Sequence, residues 1–186
     1  MLKFFAERGL KDFSDRYDYD VSYMRHMLEI SPAAFLKFSK LTELAQHCDA
    51  APVDALFAAK LVGAVTEDCG PCVQLVVNMA REAGVEPAQI EAILKRDHNG
   101  MNADAALGFC FADAIVRRAP FEDEVRNDVR ASWGEAGIID LTMAVQIGRV
   151  FPMVKAGMGF AKECRRVTID DTPIDVIKGE TVKDAA

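Results

Sequence analysis

The chain has 186 residues, and 51% of them are hydrophobic, so it can bury the core of one domain without disulfides or metals. Its 22 basic and 29 acidic residues give a net charge of −7 without any basic run, which argues against nucleic-acid or anionic-membrane binding. The N-terminal residues carry charges too early for a signal peptide, and no apolar stretch approaches the length of a membrane span. We therefore expect a cytoplasmic protein with no nucleic-acid and no membrane partner.

The spacing of the apolar residues predicts an all-α fold. They recur every three or four residues through most of the chain, and two-residue alternation is scarce before the C-terminal end. We expect a single-domain helical bundle over residues 1–166, followed by an extended or partly disordered tail over residues 167–186.

Capping residues and prolines mark the predicted helix starts. A helix is expected from Ser31 to about His47, with the serine as its cap and a proline in its first turn. Pro52 opens the next helix, and the apolar segment 73–83 forms another that ends at Gly84.

The second half of the chain predicts further helices. Their expected starts are Pro87, Asn102, Pro120 and Ser132, the last in a capping box with Glu135. Pro152 is expected to break or restart the helix that follows. The last helix, 154–165, carries Gly157 and Gly159, which predict a close approach to another helix.

Two of the five cysteines form the close pair Cys69-Gly70-Pro71-Cys72. Proline is tolerated only in the first turn of a helix, so Pro71 predicts a helix that begins between Asp68 and Gly70. Both sulfurs then lie on one face of the opening turn, where a disulfide can form and the helix N-terminus favours a thiolate. A redox-active dithiol needs this geometry, because one thiolate attacks a disulfide or peroxide and its partner resolves the product.

Two carboxylates, Glu67 and Asp68, lie directly before the pair. They disfavour a thiolate by like charge, yet one of them could relay a proton to it. The candidate catalytic residues are therefore Cys69, Cys72, Glu67 and Asp68, with the order of the two cysteines left open.

Two structural interpretations compete with a redox role. A zinc site needs two more ligands, but no second close Cys or His pair exists, since His47 and Cys48 are adjacent rather than spaced. The pair could also be two inert core thiols, although the rigid Gly-Pro turn exceeds what packing requires. Cys48, Cys110 and Cys164 stand alone in apolar surroundings and are expected in the core. We expect no metal and no cofactor.

The pair in its helical setting resembles a known superfamily. A Cys-Gly-Pro-Cys motif alone suggests thioredoxin, but that fold needs a strand before the motif, and residues 55–65 predict a helix. A helical chain in which Cys69 and Cys72 open a central helix resembles the alkyl hydroperoxidase D and carboxymuconolactone decarboxylase superfamily, from about Ser31 to Arg165. The later apolar helix pair at 138–143 and 149–151 adds to this resemblance.

The resemblance implies an all-helical homo-oligomer, a trimer or hexamer in that superfamily, with a dimer as a further option for this chain. It also implies that Cys69 and Cys72 reduce a small-molecule peroxide or disulfide substrate. A thiol or a lipoylated protein would then re-reduce them.

Two positions depart from the peroxidase pattern of that superfamily. The histidine and the glutamate that complete its proton relay fall here on Val76 and Phe57, and neither side chain can move a proton. Two hypotheses follow. The chain is a thiol-disulfide oxidoreductase or hydroperoxide reductase that uses the dithiol, or it is a non-catalytic helical oligomer of the same type that serves as a binding or redox-sensing module.

Overall fold

The computed structural model describes residues 2–161 and 166–179. This part of the chain forms nine helices and one two-stranded hairpin, which confirms an all-α, single-domain fold. The helices are α1 (Leu2–Tyr17), α2 (Ser22–Ile30), α3 (Pro32–Ser39), α4 (Leu41–Ala45), α5 (Val53–Thr66), α6 (Gly70–Glu82), α7 (Pro87–Leu94), α8 (Ala103–Arg117) and α9 (Glu122–Gly157), and the strands are β1 (Thr168–Ile169) and β2 (Thr172–Pro173).

Local sequence signals explain most of the helix boundaries. The Ser31 hydroxyl accepts a hydrogen bond from the Ala34 amide at 3.3 Å, and the Asn102 side chain accepts one from the Ala105 amide at 2.8 Å. Prolines occupy the first turn of α3, α6 and α7. Gly84 follows α6 in the left-handed region, with φ at 88°. These predicted starts and this predicted stop are confirmed.

The first predicted helix differs from the structure. The segment 31–47 contains two helices, α3 and α4, because the chain turns at Lys40. Two more helices, α1 and α2, precede it and lie outside the segment that carries the family resemblance.

Helix α9 also departs from prediction. Gly134, with φ at 68° and ψ at −168°, interrupts the helical backbone near the helix start predicted at Ser132. The Glu135 carboxylate, predicted to belong to a capping box, instead binds Arg130 Nε at 2.5 Å.

Pro152 was expected to break or restart the helix, and this was wrong: α9 continues to Gly157 with the proline buried inside it, although proline supplies no amide for the helical hydrogen bond. The predicted last helix, 154–165, was wrong in its extent: residues up to Gly157 belong to α9, residues 158–161 are not helical, and 162–165 lie outside the described residues.

The main core forms around α5, which is buried over most of its length and packs against α8 and α9. Glycines allow the helices to approach closely, because a Cβ atom at each would lie within 2.4 Å of a carbonyl oxygen on the facing helix. These are Gly63, Gly108 and Gly148. The prediction for Gly157 and Gly159 was wrong: a Cβ atom there meets nothing within 4 Å among the described residues.

A second apolar cluster, here called the N-terminal cluster, packs residues of α1–α3 against the start of α6 and the end of α9. Its buried members are Leu10, Tyr19, Val21, Tyr23, Leu28, Phe35, Cys69 and Cys72. The Phe38 and Phe151 rings, 5.3 Å apart between centroids, join α3 to α9. The first three helices therefore form a cover over the beginning of α6.

The segment 166–179 runs back across the bundle. The Gln74 side chain pairs with the backbone of Thr168, accepting from its amide at 2.7 Å and donating to its carbonyl at 3.0 Å. Strands β1 and β2 follow as an antiparallel hairpin, and the Ile177 amide then donates to the Leu94 carbonyl at 2.9 Å. Apart from this short hairpin, residues 166–179 have no regular secondary structure, and 180–186 lie outside the described residues.

Helix α9 is long and apolar enough, by length and composition, to cross a membrane, so the expectation that no apolar stretch approaches that length was wrong. Of its most apolar window, 44% is buried inside the structure, and the helix carries the buried polar side chains Asp140 and Lys155. These features are compatible with the core helix of a soluble protein.

Candidate functional site

The two paired cysteines open helix α6. Cys69 is the N-cap residue, the helix begins at Gly70, and Cys72 is its third residue. A disulfide joins them, with 5.2 Å between their Cα atoms. The predicted helix start and the predicted proximity of the sulfurs are confirmed.

The pair is buried. Cys69 is 7% exposed and Cys72 is 3% exposed, and both belong to the N-terminal cluster rather than to the main core. A reagent in solution therefore reaches the sulfurs only when part of the cover formed by α1–α3 moves aside.

A tyrosine that lies far away in sequence contacts the pair. The Tyr19 hydroxyl lies 3.5 Å from Cys72 Sγ, and because a disulfide sulfur carries no hydrogen, the phenol is the donor. Burial raises the pKa of Tyr19 above its ordinary value, so the phenol keeps its proton at neutral pH. The loop between α1 and α2 thus places a proton-bearing group against one sulfur of the pair.

A buried lysine lies behind that tyrosine. Lys155, from the end of α9, is 1% exposed, and its Nζ atom lies 5.2 Å from the centre of the Tyr19 ring. Its charge is matched by Asp20, whose Oδ2 atom is 3.6 Å away. Burial raises the pKa of Asp20, but hydrogen bonds from Ser22 and the Lys155 charge outweigh this and lower it overall.

The two carboxylates predicted as proton carriers are engaged with basic residues. Glu67 binds Arg149 Nε at 2.7 Å, and Asp68 binds Lys178 Nζ at 2.5 Å. Asp68 has a positive φ of 52° and lines a cleft of about 310 Å³ between the helices and the C-terminal segment. Its side chain is therefore at the surface, whereas the two sulfurs lie in the N-terminal cluster.

The two positions expected to carry a proton relay hold apolar side chains that belong to the main core. Phe57 is buried in the main core, and Val76 packs against that core from α6. The polar side chain that contacts the disulfide therefore comes from the loop before α2, not from the relay positions.

The remaining cysteines differ from expectation in part. Cys48 is exposed, so its predicted core position was wrong, and its thiol donates weakly to the Ala51 carbonyl at 3.4 Å. Cys110 is half-buried and packs against the main core. Cys164 lies outside the described residues.

A cluster of possible metal ligands lies at the loop before α5. Among the described residues, His47, Asp49 and Asp140 bring ligand atoms within 4.8 Å of one another. Asp140 already accepts hydrogen bonds from the amides of Asp49, Ala50 and Ala51, at 2.7 to 3.1 Å. Since these donors occupy both carboxylate oxygens, we interpret the cluster as the anchor of this loop.

Sequence reasoning found the disulfide but missed its polar neighbours. Tyr19 lies 53 positions before Cys72, so no local spacing connects the two. The one available signal was Lys155, a charged residue between apolar neighbours in a predicted helix.

The chain was compared with models of protein families, with curated proteins and with solved structures, and no match was found in any of the three comparisons.

Proposed function

We propose that the chain is a thiol-disulfide oxidoreductase of the alkyl hydroperoxidase D-like type, in which Cys69 and Cys72 cycle between disulfide and dithiol. The observation that carries this proposal is the disulfide across the first turn of α6. In one half of the cycle two thiols of the reductant become a disulfide, and the Cys69–Cys72 pair gains two electrons and two protons. In the other half, the dithiol passes them to a disulfide substrate.

A purely structural role explains this disulfide less well. A crosslink stabilises a fold mainly by restricting the unfolded chain, and the effect grows with the length of the closed loop. For the four-residue loop that runs from Cys69 to Cys72, the chain-entropy relation gives about 2 kcal/mol, against about 3 kcal/mol for a loop of about 15 residues. The short spacing therefore favours a redox role of the disulfide over a role in stabilising the fold.

Thiol-disulfide exchange suits the site better than peroxide reduction. Exchange needs an attacking thiolate and a stabilised leaving thiolate, and it can proceed without the proton relay that Val76 and Phe57 lack. The reductant class stays a small thiol or a lipoylated protein.

A homo-oligomer remains part of the proposal. Ile139 and Met153 on α9 are about half exposed, which supports a contact between copies without identifying its geometry. Sedimentation analysis of the purified chain measures the subunit number.

The experiment that tests the proposal is a redox titration of the native protein in glutathione or dithiothreitol buffers. Alkylation and mass analysis then report the state of Cys69 and Cys72. We expect a two-electron transition at a potential between about −270 and −120 mV, the range of known oxidoreductases. A pair that is reduced only when the protein unfolds, or only below about −300 mV, means a structural role and leaves the non-catalytic alternative.

Serine variants test whether turnover depends on the pair. We expect Cys69→Ser and Cys72→Ser each to lower the reduction of a small disulfide by at least about 100-fold, because neither can complete exchange alone. Turnover is measured with a coupled thiol assay. Cys110→Ser is the matched control and should keep wild-type turnover. If either variant of the pair turns over like this control, the dithiol is not the catalyst.

A further inference from the structure

The two sulfurs of the disulfide have unequal surroundings. Among the described residues, Cys72 Sγ accepts a hydrogen bond from the Tyr19 phenol at 3.5 Å, whereas the Cys69 side chain makes no capping hydrogen bond at the helix start. Cys69 is also the more exposed of the two, at 7% against 3%. This asymmetry indicates which cysteine is attacked and which one leaves, a question that their spacing in the sequence does not decide.

Tyr19 is held in place before any reaction begins. The Ser14 hydroxyl donates to its carbonyl at 2.8 Å, and its amide donates to the Ser14 carbonyl at 3.2 Å. The Phe13 ring meets the Tyr19 ring edge to face, 6.1 Å between centroids. A donor positioned in this way needs little reorganisation when charge develops on the sulfur.

The charges near Tyr19 and beside Cys69 are each balanced by a partner, so the hydrogen bond from Tyr19 is the feature that distinguishes the two sulfurs. The Lys155 ammonium lies over the Tyr19 ring and pairs with Asp20. The carboxylates beside Cys69, those of Glu67 and Asp68, are neutralised by basic partners from α9 and from the C-terminal segment.

We propose that Tyr19 is a catalytic hydrogen-bond donor to the Cys72 thiolate, so that Cys69 is the sulfur attacked and Cys72 is the leaving group. This inference rests on the proposed function and assigns roles within it.

In the first step, a thiol opens the disulfide of the protein. The thiolate of a small-molecule monothiol attacks Cys69 Sγ and forms a mixed disulfide as the bond between the two sulfurs breaks. The bonding electron pair leaves on Cys72 Sγ, where the Tyr19 hydroxyl stabilises the negative charge by hydrogen bonding without losing its proton.

The second step completes the reduction. A second monothiol thiolate attacks the small-molecule sulfur of the mixed disulfide. This releases an oxidised disulfide and leaves Cys69 as a thiolate. In the reverse direction the Cys72 thiolate attacks Cys69 in the mixed disulfide, which makes Cys72 the resolving residue.

The test is Tyr19→Phe, which keeps the ring and removes the donor. Tyr23→Phe is the matched control, because Tyr23 is buried in the same cluster and its hydroxyl interacts with that of Tyr19 but makes no hydrogen bond to either sulfur in the described chain. In a glutathione titration we expect the equilibrium constant for reduction of Tyr19→Phe to fall about tenfold, a shift of about 30 mV to more negative potential. Tyr23→Phe should stay within about threefold of the wild type.

A second measurement does not depend on any variant folding. In the reduced wild-type protein with ¹³C-labelled cysteine, NMR titration of the Cβ resonances follows each thiol separately. We expect Cys72 to ionise at a lower pH than Cys69. A Cys69 that ionises first, or a Tyr19→Phe variant that matches Tyr23→Phe, overturns the assignment.

Failure of the proposed function has a different signature. In that case the wild-type pair itself is not reduced by glutathione while the protein stays folded. A wild-type protein that cycles normally, together with an unshifted Tyr19→Phe variant, rejects only the role of Tyr19.

Discussion

Asp140 is a fully buried carboxylate that organises the loop before α5. Its oxygens accept hydrogen bonds from three successive amides, those of residues 49–51, and His47 Nε2 lies 3.3 Å from Oδ1. Burial raises the pKa of Asp140, but the three amide donors and the His47 ring outweigh burial and lower it overall. The charged form of this side chain therefore stabilises the fold.

Replacement of this carboxylate tests that role. We expect Asp140→Asn to lower the free energy of unfolding by about 3 kcal/mol at pH 7, because the amide group of asparagine cannot accept all three hydrogen bonds. Urea denaturation measures the change. Asp49→Asn is the control, since this side chain is mostly exposed, and should change stability by less than about 0.5 kcal/mol.

The pH dependence of the same pair of proteins gives a second check. A lowered pKa in the folded state means that Asp140 contributes its stability above the ordinary aspartate value of about 3.9 and loses it as the pH falls through the folded value. Between pH 5 and acid unfolding, the wild type should therefore lose more stability than Asp140→Asn. Parallel curves for the two proteins would contradict this account.

At the scale of elements, the contact between α5 and α9 depends on two facing glycines. A Cβ atom on Gly148 would lie 2.2 Å from the Lys60 carbonyl oxygen, and one on Gly63 would lie 2.4 Å from the Val145 carbonyl oxygen. The backbones of the two helices therefore touch, and a side chain at either position must push them apart.

An alanine at this contact should destabilise the bundle. We expect Gly148→Ala to lower the free energy of unfolding by about 3 kcal/mol, because the overlap is with backbone and cannot be relieved by a rotamer change. Gly9→Ala in α1 is the control: a Cβ atom there meets nothing within 4 Å, and better helix propensity should stabilise by up to about 1 kcal/mol. Thermal unfolding of both variants distinguishes a close contact from a simple propensity effect, which would make both changes stabilising.

At the scale of the whole molecule, the two apolar clusters have different roles. The main core around α5 holds the bundle, and the N-terminal cluster seals the disulfide under α1–α3. The cover is attached through side chains such as Tyr17, whose hydroxyl binds the Glu82 carboxylate on α6. Local opening of this cover is therefore expected to control access to the sulfurs.

Truncation of one ring in each cluster tests this division. We expect Phe35→Ala, in the N-terminal cluster, to speed reduction of the Cys69–Cys72 disulfide by dithiothreitol about 100-fold under native conditions, because the cover opens more often. Phe111→Ala removes a ring of the same size from the main core and should destabilise the whole fold without a comparable rate increase. Equal acceleration in both variants would mean that reduction requires global unfolding.

The sequence by itself determined the local features of this protein. Apolar periodicity, Ser31, Asn102 and the helix-opening prolines set the helical class and most boundaries, because capping and proline stereochemistry act within one turn. Pro71 likewise placed Cys69 and Cys72 together at the start of α6. These features need no knowledge of the fold.

Only the tertiary structure decided which side chains surround the disulfide. Tyr19 reaches it from the N-terminal part of the chain, and Lys155 packs behind Tyr19 from α9. The glycines of close approach are Gly63, Gly108 and Gly148 rather than those near the end of α9. Such contacts follow from how helices pack, and packing depends on the shapes of distant surfaces rather than on any local pattern. For the same reason, the burial of the dithiol under α1–α3 became visible only once the N-terminal cluster was assembled.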